Sequence, residues 1–523
     1  MTNIFQKNFH FVFLSIYFPL FLYVNNIEQI DIIFIFRSLV ISACLSVIFF
    51  VILRLITKDN NFSAVVTSLA IFLFFIYGSV YQYFEQLESF IRILGRHRFL
   101  TPLFIISFII IILFLKKQKG KVKESIFLLN LFSLFLIIPL LFNICQYNIK
   151  LHRTQTISGT ELPIDRQDGY ITNPDIYYII LDTYARNDAL NKIGIDNNVF
   201  LQTLTDKGFY IANCSNSNYF FTSLSLTSSL NFEYIKDIDT IFTPENTDET
   251  LLDYYLKNNK VRAMLEDSGY TTIAFETGYY WSSWKTADIY LQPDRTNVDM
   301  IVGSKINEFE SMLIRSTGFL SILDSSSKFI ENHFQDIHFP YSNHINRELF
   351  ILESLKEIPK WDSPKFVFAH ILIPHYPYVF SSEGDILTDP GYWDNPIDRG
   401  TPINEEYFLS GYSNQVTFIN NKIISIVDKI LEDSKNEPII IIQGDTGIKE
   451  PYRQAILNAY YFPDGNYSSL YSTISPVNTF RVVFNQYFAA DYPYLVDETY
   501  YSTYEFPYDT TLMNHSYTEQ CTK

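Results

Sequence analysis

The sequence predicts a five-helix transmembrane domain followed by an α/β domain with a mainly parallel central sheet flanked by helices. Three observations carry this. Long apolar runs fill the first 150 residues. Beyond them, short apolar runs alternate with amphipathic segments of helical period. Those short runs are apolar throughout rather than at every second position, the mark of strands buried on both faces of a parallel sheet.

Five segments have the apolar length to cross a hydrocarbon core of ~30 Å: 9–25, 32–55, 63–84, 100–115 and 125–146. A cleavable signal peptide does not account for the first, since four more follow it. Lys7, the Arg54–Lys58 turn and the Lys116–Lys123 cluster fall on one side of the membrane. The positive-inside rule makes that side the cytoplasm. Five crossings then put the N-terminus inside and everything after about residue 150 outside a cytoplasmic membrane. The 85–99 loop, with Arg92, Arg96 and Arg98, fits an interfacial amphipathic helix. Arg37, near the start of the second helix, is expected to snorkel to the interface or to meet a lipid headgroup. The expected domains are a membrane part over 1–150, a polar linker over 151–172 and an external domain over 173–523.

The external part opens with the buried-strand run DIYYIILD (175–182). A helix over 199–208 and a strand over 209–215 follow. An amphipathic helix over 251–270 leads into the strand TTIAFET. Further on, a helix over 345–358, a strand over 365–373, a long helix over 404–432 and a strand over 438–445 are expected. ILNAYYF reads as a strand, SPVNTFRVVFNQYF as a helix, and the C-terminal DETYYSTYEFPYDTT as an ordered surface tail.

Composition narrows the function. The 523-residue chain carries a formal net charge of −17, and its basic residues cluster in the membrane part. The acidic external domain is a poor match for nucleic acid, whose phosphates need a basic surface. The four cysteines, Cys44, Cys145, Cys214 and Cys521, form no CxxC pair, which argues against a zinc ribbon or thioredoxin-like site. Cys214 and Cys521 are two independent cysteines, the simpler reading, or a pair in an oxidising compartment. The cluster GYYWSSW, with Tyr279, Tyr280, Trp281 and Trp284, suits sugar stacking or ordinary packing.

In an open parallel sheet, ligands gather at the carboxyl ends of the strands. Three strand ends here carry polar chemistry: Asp182, His375 and Asp445. One aspartate after a strand is often a helix cap. Two at the ends of buried strands point to a metal site. Between them lies SNYFFTSLSLTSSLN (217–231), a hydroxyl-rich run. A hydroxyl at a helix N-terminus is placed to attack an anionic substrate, although composition alone favours a cap and turn.

The order of these pieces resembles the alkaline phosphatase superfamily, and its sulfatase-like branch in particular, with the lipoteichoic acid synthases and phosphoethanolamine transferases. The resemblance covers roughly residues 173–465, and the five preceding helices match the layout of those transferases. It implies that Asp182 and Asp445 are metal ligands and that Thr222 is the nucleophile and a further ligand. It implies that His375, in PHYPY, faces the substrate as catalytic and binding histidine. His370 is a second substrate-binding histidine or a buried structural one. The implied cofactor is a divalent metal: zinc or manganese, with magnesium and calcium as harder alternatives.

Two departures stand out. The D-H-G motif of the family is Asp445-Thr446-Gly447 here, so a hydroxyl replaces the expected imidazole ligand. His344, His370 and Glu450 are the candidate substitutes. Threonine at 222 cannot become formylglycine, which disfavours sulfate-ester hydrolysis. The resemblance therefore implies an enzyme that moves a phospho-alcohol group from a phospholipid, or another lipid-linked donor, to an envelope glycan or lipid through a phospho-threonine. A phosphodiesterase or phosphatase using the same site is the alternative. A non-catalytic envelope-binding protein that keeps the fold is the reading Thr446 motivates.

Overall fold

The computed structural model describes residues 7–27, 30, 32–85, 94–157, 173–293, 307–323, 342–387, 405–449, 451–513 and 521. The chain divides into two compact units, the first built from described residues of 1–152 and 295–343, the second from those of 153–294 and 344–523.

The first unit holds helices α1 (His10–Val24), α2 (Phe36–Thr57), α3 (Asn60–Glu85), α4 (His97–Lys117) and α5 (Lys119–Ile157). Among the described residues, four helical stretches are long and apolar enough to span a membrane, and α1, with 15 residues, is a shorter apolar helix before them. Phe11, Leu20, Ile71 and Phe75 knit α1 and α3 together. Val40, Ile48, Ile109 and Phe135 stay exposed on α2, α4 and α5, as lipid-facing side chains must. The expected interfacial helix at 85–99 lies largely outside the described residues.

The stretch 307–323 belongs to this same unit, which its position in the sequence does not disclose. Asn307 caps the helix Glu308–Arg315 reciprocally: its side chain accepts from the Glu310 N–H (2.8 Å), and Glu310 accepts from the Asn307 N–H (3.0 Å). The Glu310 carboxylate also takes the Arg37 guanidinium through both oxygens. Arg37 thus has a protein partner, where snorkelling or a headgroup was expected. A few residues on, the Gly78 N–H donates to Ser316 O (3.1 Å) and the Gly318 N–H donates to Phe74 O (2.8 Å). A turn has entered the hydrogen-bond ladder of α3. Only glycine permits this at 78, because a Cβ there would lie 2.4 Å from the Ser316 carbonyl carbon.

The second unit is built on a seven-stranded sheet. Its strands are β1 (Ile176–Leu181), β2 (Tyr210–Ile211), β3 (Thr271–Phe275), β4 (Ile289–Leu291), β5 (Lys365–Ile371), β6 (Ile439–Gly444) and β7 (Asn458–Tyr461). They lie in the order β2-β7-β6-β1-β5-β3-β4. The five strands from β6 to β4 are parallel, while β7 runs antiparallel to β6 and β2 pairs antiparallel with β7 at the edge. The helices are α6 (Asn187–Lys192), α7 (Asn198–Asp206), α8 (Thr222–Asn231), α9 (Thr250–Lys257), α10 (Lys260–Asp267), α11 (Ser342–Glu357), α12 (Glu405–Asp433) and α13 (Pro476–Tyr487). A hairpin of β8 (Thr499–Tyr501) and β9 (Thr511–Met513) follows them.

Every residue of β1, β5 and β6 is buried, so both faces of the central sheet are covered. On one face Tyr178 and Ile180 meet Leu226 and Leu230 of α8, Leu265 of α10 and Phe480 of α13. The expected single helix over 251–270 is two, because Asn259 caps α10 by accepting from the Arg262 N–H (2.9 Å). The expected strand over 209–215 pairs only at Tyr210 and Ile211. Cys214 is bonded to Cys521, which corrects the reading of two independent cysteines.

Candidate functional site

β1 sits between β5 and β6, and its register places Leu181 beside Ile371 and Gly444. The residues just past these strand ends are therefore neighbours: Asp182 after β1, Asp445 and Thr446 after β6, and His375 beyond β5. The chain bends sharply behind Asp182. Thr183 has φ +58°, a left-handed conformation that strains a β-branched residue. Two bonds hold it there: its N–H donates to Asp445 Oδ1 (2.8 Å), and its carbonyl accepts from the Tyr412 hydroxyl (2.8 Å). On the other side of Asp445, a Cβ at Gly447 would lie 2.2 Å from the Tyr452 carbonyl oxygen, so the turn closes only over glycine.

Thr222 is the first residue of α8, half-buried, with its hydroxyl close enough to the Asp445 carboxylate to lower that group's pKa. Ser225, one turn on, fastens the helix by donating to Asp445 O (2.7 Å). The run 217–231, with two readings open in sequence, thus puts a hydroxyl at a helix N-terminus, where first-turn N–H groups lack intrahelical acceptors.

His370, on β5, is wholly buried with Nε2 3.5 Å from Asp182 Oδ2. Trp281 lies beside it, ring centroids 6.0 Å apart, and stacks on Tyr279 at 5.3 Å. Trp284 of the same cluster is instead core, stacked 4.1 Å from Phe368. His375 is half-buried, its Nδ1 near Tyr376 O, and its charge acts on Asp182. His344 lies one turn before Glu348 on α11 (Nδ1–Oε1 3.7 Å), beside the centre. Glu450 lies outside the described residues.

The electrostatics separate the two aspartates. Burial pushes the Asp182 carboxyl up, but His375, His370 and Arg453 together hold it below its ordinary value. Burial and then the charge of Asp182 raise Asp445 to about 6. Burial lowers His370, and Asp182 outweighs it, so the imidazole titrates above its usual value. Burial takes His344 down to about 3 and Glu348 up to about 7.

One contrast bears on what this centre holds. At the other end of β1, Asp175 is also buried, and both of its oxygens are satisfied by Lys365 and Ser363. At this end, Asp182 Oδ1, Asp445 Oδ2 and the Thr446 hydroxyl are buried without a hydrogen-bond partner. Buried carboxylate oxygens left so are costly unless a cation meets them. Among the described residues no group of three or more His, Cys, Asp or Glu side chains converges into a metal cage. The donors at hand are two carboxylates, the hydroxyls of Thr222 and Thr446, and the imidazole of His370, whose two nitrogens are also buried without a hydrogen-bond partner, an oxygen-rich set with one nitrogen ligand within reach.

Two residues here escaped the sequence reading. Arg453 donates from Nε to Phe220 O (3.1 Å), two residues before Thr222, and its charge reaches Asp182. Glu348 accepts from the Leu372 N–H (2.9 Å) behind His370. The second had a signal, the i,i+4 pair His344–Glu348 on a predicted helix. The first had none, since Arg453 lies in a loop between strands.

No protein-family profile matches the chain, and no curated protein does. Solved structures offer distant likenesses. The C-terminal periplasmic domain of EptC from Escherichia coli, in complex with zinc, is 13% identical, with 61% of this chain and 84% of that one covered and a TM-score of 0.37. The integral membrane lipooligosaccharide phosphoethanolamine transferase A from Neisseria meningitidis is 13% identical over 92% of this chain and 95% of that one, at a TM-score of 0.37. A 2-O GAG sulfatase is 11% identical over 62% and 72%, at 0.40. At such identities and scores the functional reading rests on the geometry of the site.

Proposed function

We propose that the chain is a membrane-anchored phosphotransferase that takes a phospho-alcohol group from a phospholipid and passes it to an envelope glycan or lipid. One observation carries this: a half-buried hydroxyl, Thr222, stands at a helix N-terminus close to Asp445, beside buried carboxylate oxygens that no protein group satisfies.

Asp182, Asp445 and Thr222, with Thr446 and the His370 imidazole beside them, would hold a divalent cation, a donor set open to zinc or manganese as well as to magnesium or calcium. When bound, the cation lowers the hydroxyl pKa and offsets charge on the phosphoryl oxygens. Asp445 orients the Thr222 O–H and takes its proton. Thr222 Oγ forms a bond to phosphorus, and the bond from phosphorus to the diacylglycerol oxygen breaks. His375 gives that leaving oxygen a proton. First-turn N–H groups of α8 and the Arg453 guanidinium receive the phosphate oxygens. In the second half-reaction an acceptor hydroxyl attacks phosphorus, His375 takes its proton, and Thr222 Oγ leaves with the proton returned by Asp445.

The α/β unit belongs outside the cytoplasmic membrane on this reading. The lysines and arginines of three short loops and the Cys214–Cys521 bond, which suits an oxidising compartment, support that side.

Purified full-length chain and a phospholipid labelled in its headgroup test the proposal. Expected are divalent-dependent release of diacylglycerol and loss of release in Thr222→Ala. Release that Thr222→Ala leaves intact would overturn it. Free phospho-alcohol, with no labelled product when envelope glycan or lipid is supplied, would replace transferase by phosphodiesterase.

A further inference from the structure

The C-terminal hairpin is built onto the segment that delivers Thr222. The Tyr500 N–H donates to Asn218 O (2.8 Å), Asn218 Nδ2 donates to Glu498 O (2.9 Å), and the Thr499 hydroxyl donates to Ser217 O (2.7 Å). The Cys214–Cys521 bond ties the end of the chain to the start of the same segment. Side chains alternate along β8. Tyr500 turns inward and stacks on Tyr219, centroids 5.7 Å apart. Tyr501 meets Phe220 edge-on at 5.3 Å, and Tyr504 lies over Phe221 at 4.0 Å.

The outer rings remain in water. Tyr504 is 68% exposed, Phe506 43% and Tyr501 41%. Tyr501 and Tyr504, with Phe220 and Phe221 beneath them, form an aromatic shelf that starts one residue from the nucleophile. A grouped exposed aromatic surface on an ordered hairpin needs an explanation. Its charge indicates the occupant. Residues 497–513 carry Asp497, Glu498, Glu505 and Asp509 and no lysine or arginine, and Glu505 and Asp509 are exposed. An anionic lipid surface is attracted by basic residues, which this shelf lacks. A sugar ring suits it: C–H faces pack on tyrosine rings, and hydroxyls donate to the rim carboxylates. Two cations border the hairpin, and both are engaged: Lys236 donates to the Tyr500 hydroxyl (2.9 Å), and Arg453 donates to Phe220 O.

We infer that the shelf of Phe221, Tyr501 and Tyr504 is a carbohydrate subsite beside Thr222, which takes a neutral or amino-sugar glycan. Its designation as the acceptor subsite rests on the transfer reading above; sugar binding itself does not.

The test is therefore a binding measurement without turnover, on full-length Thr222→Ala in detergent, with chitohexaose and maltohexaose as probes followed by calorimetry. At least one is expected to bind, with affinity reduced at least tenfold when Tyr504→Ala is added and kept when Tyr504→Phe is added. Intact Cys214–Cys521 on non-reducing gels shows that each variant has folded. No binding of either oligosaccharide, affinity indifferent to Tyr504→Ala, or Tyr504-dependent capture of short-chain phosphatidylglycerol in their place would overturn the inference. Sugar binding that persists while the labelled-phospholipid assay fails keeps the subsite and removes only its acceptor role.

Discussion

Thr222→Ala removes the hydroxyl beside Asp445, and it should lower turnover on the order of 10³-fold or more, whereas Thr222→Ser should keep measurable activity. Steady-state release of diacylglycerol checks both. Thr446→His adds a second imidazole to the donor set. Metal titration of that variant should show tighter zinc binding than the parent, at the expense of manganese or magnesium. Glu348 gives a pH-dependent case. Burial raises its folded pKa to about 7 from an unfolded 4.5, so the folded chain binds the extra proton. Its stabilising effect is full below pH 4.5 and is lost as pH rises through 7. Glu348→Gln should therefore stabilise the chain at pH 8 by on the order of 1–3 kcal/mol and hardly at all at pH 4.5, read from melting curves. Asp182, Asp445 and Thr222 were legible as residue types at strand and helix ends. Arg453 was not, because its place depends on the Phe220 carbonyl 233 positions away.

Among elements, β1, β5 and β6 were plain in the sequence, because strands buried on both faces leave unbroken apolar runs. The break between α9 and α10 was not, since one side-chain cap at Asn259 decides it within a continuous amphipathic pattern. The seating of 307–323 on the membrane helices was hidden for a different reason: Arg37 and Glu310 are 273 residues apart. Gly78 tests that seating. In an ordinary helix interior Gly→Ala stabilises by up to about 1 kcal/mol. Here the added Cβ meets the backbone of Ser316, so Gly78→Ala should lower the melting temperature of the purified chain. A rise would show that α3 runs past this stretch uninterrupted.

At the scale of the molecule, a membrane unit and an α/β unit share one chain, and the proposed chemistry needs both: a lipid donor and a water-facing acceptor. The external placement predicts that Cys214 and Cys521 resist thiol labelling in native membranes until a reductant is added. Labelling without reductant would place the domain on the reducing side. The apolar helices before an α/β domain were legible because bilayer length acts over many residues at once. The cysteine pairing was not, because it joins positions 307 apart. The most direct test of the central claim is peptide mass spectrometry of the full-length chain after brief exposure to phospholipid and a divalent cation. The account predicts a phospho-alcohol adduct on Thr222, discharged when acceptor is added. An adduct on another residue, or turnover with Thr222 unmodified at every time sampled, would contradict it.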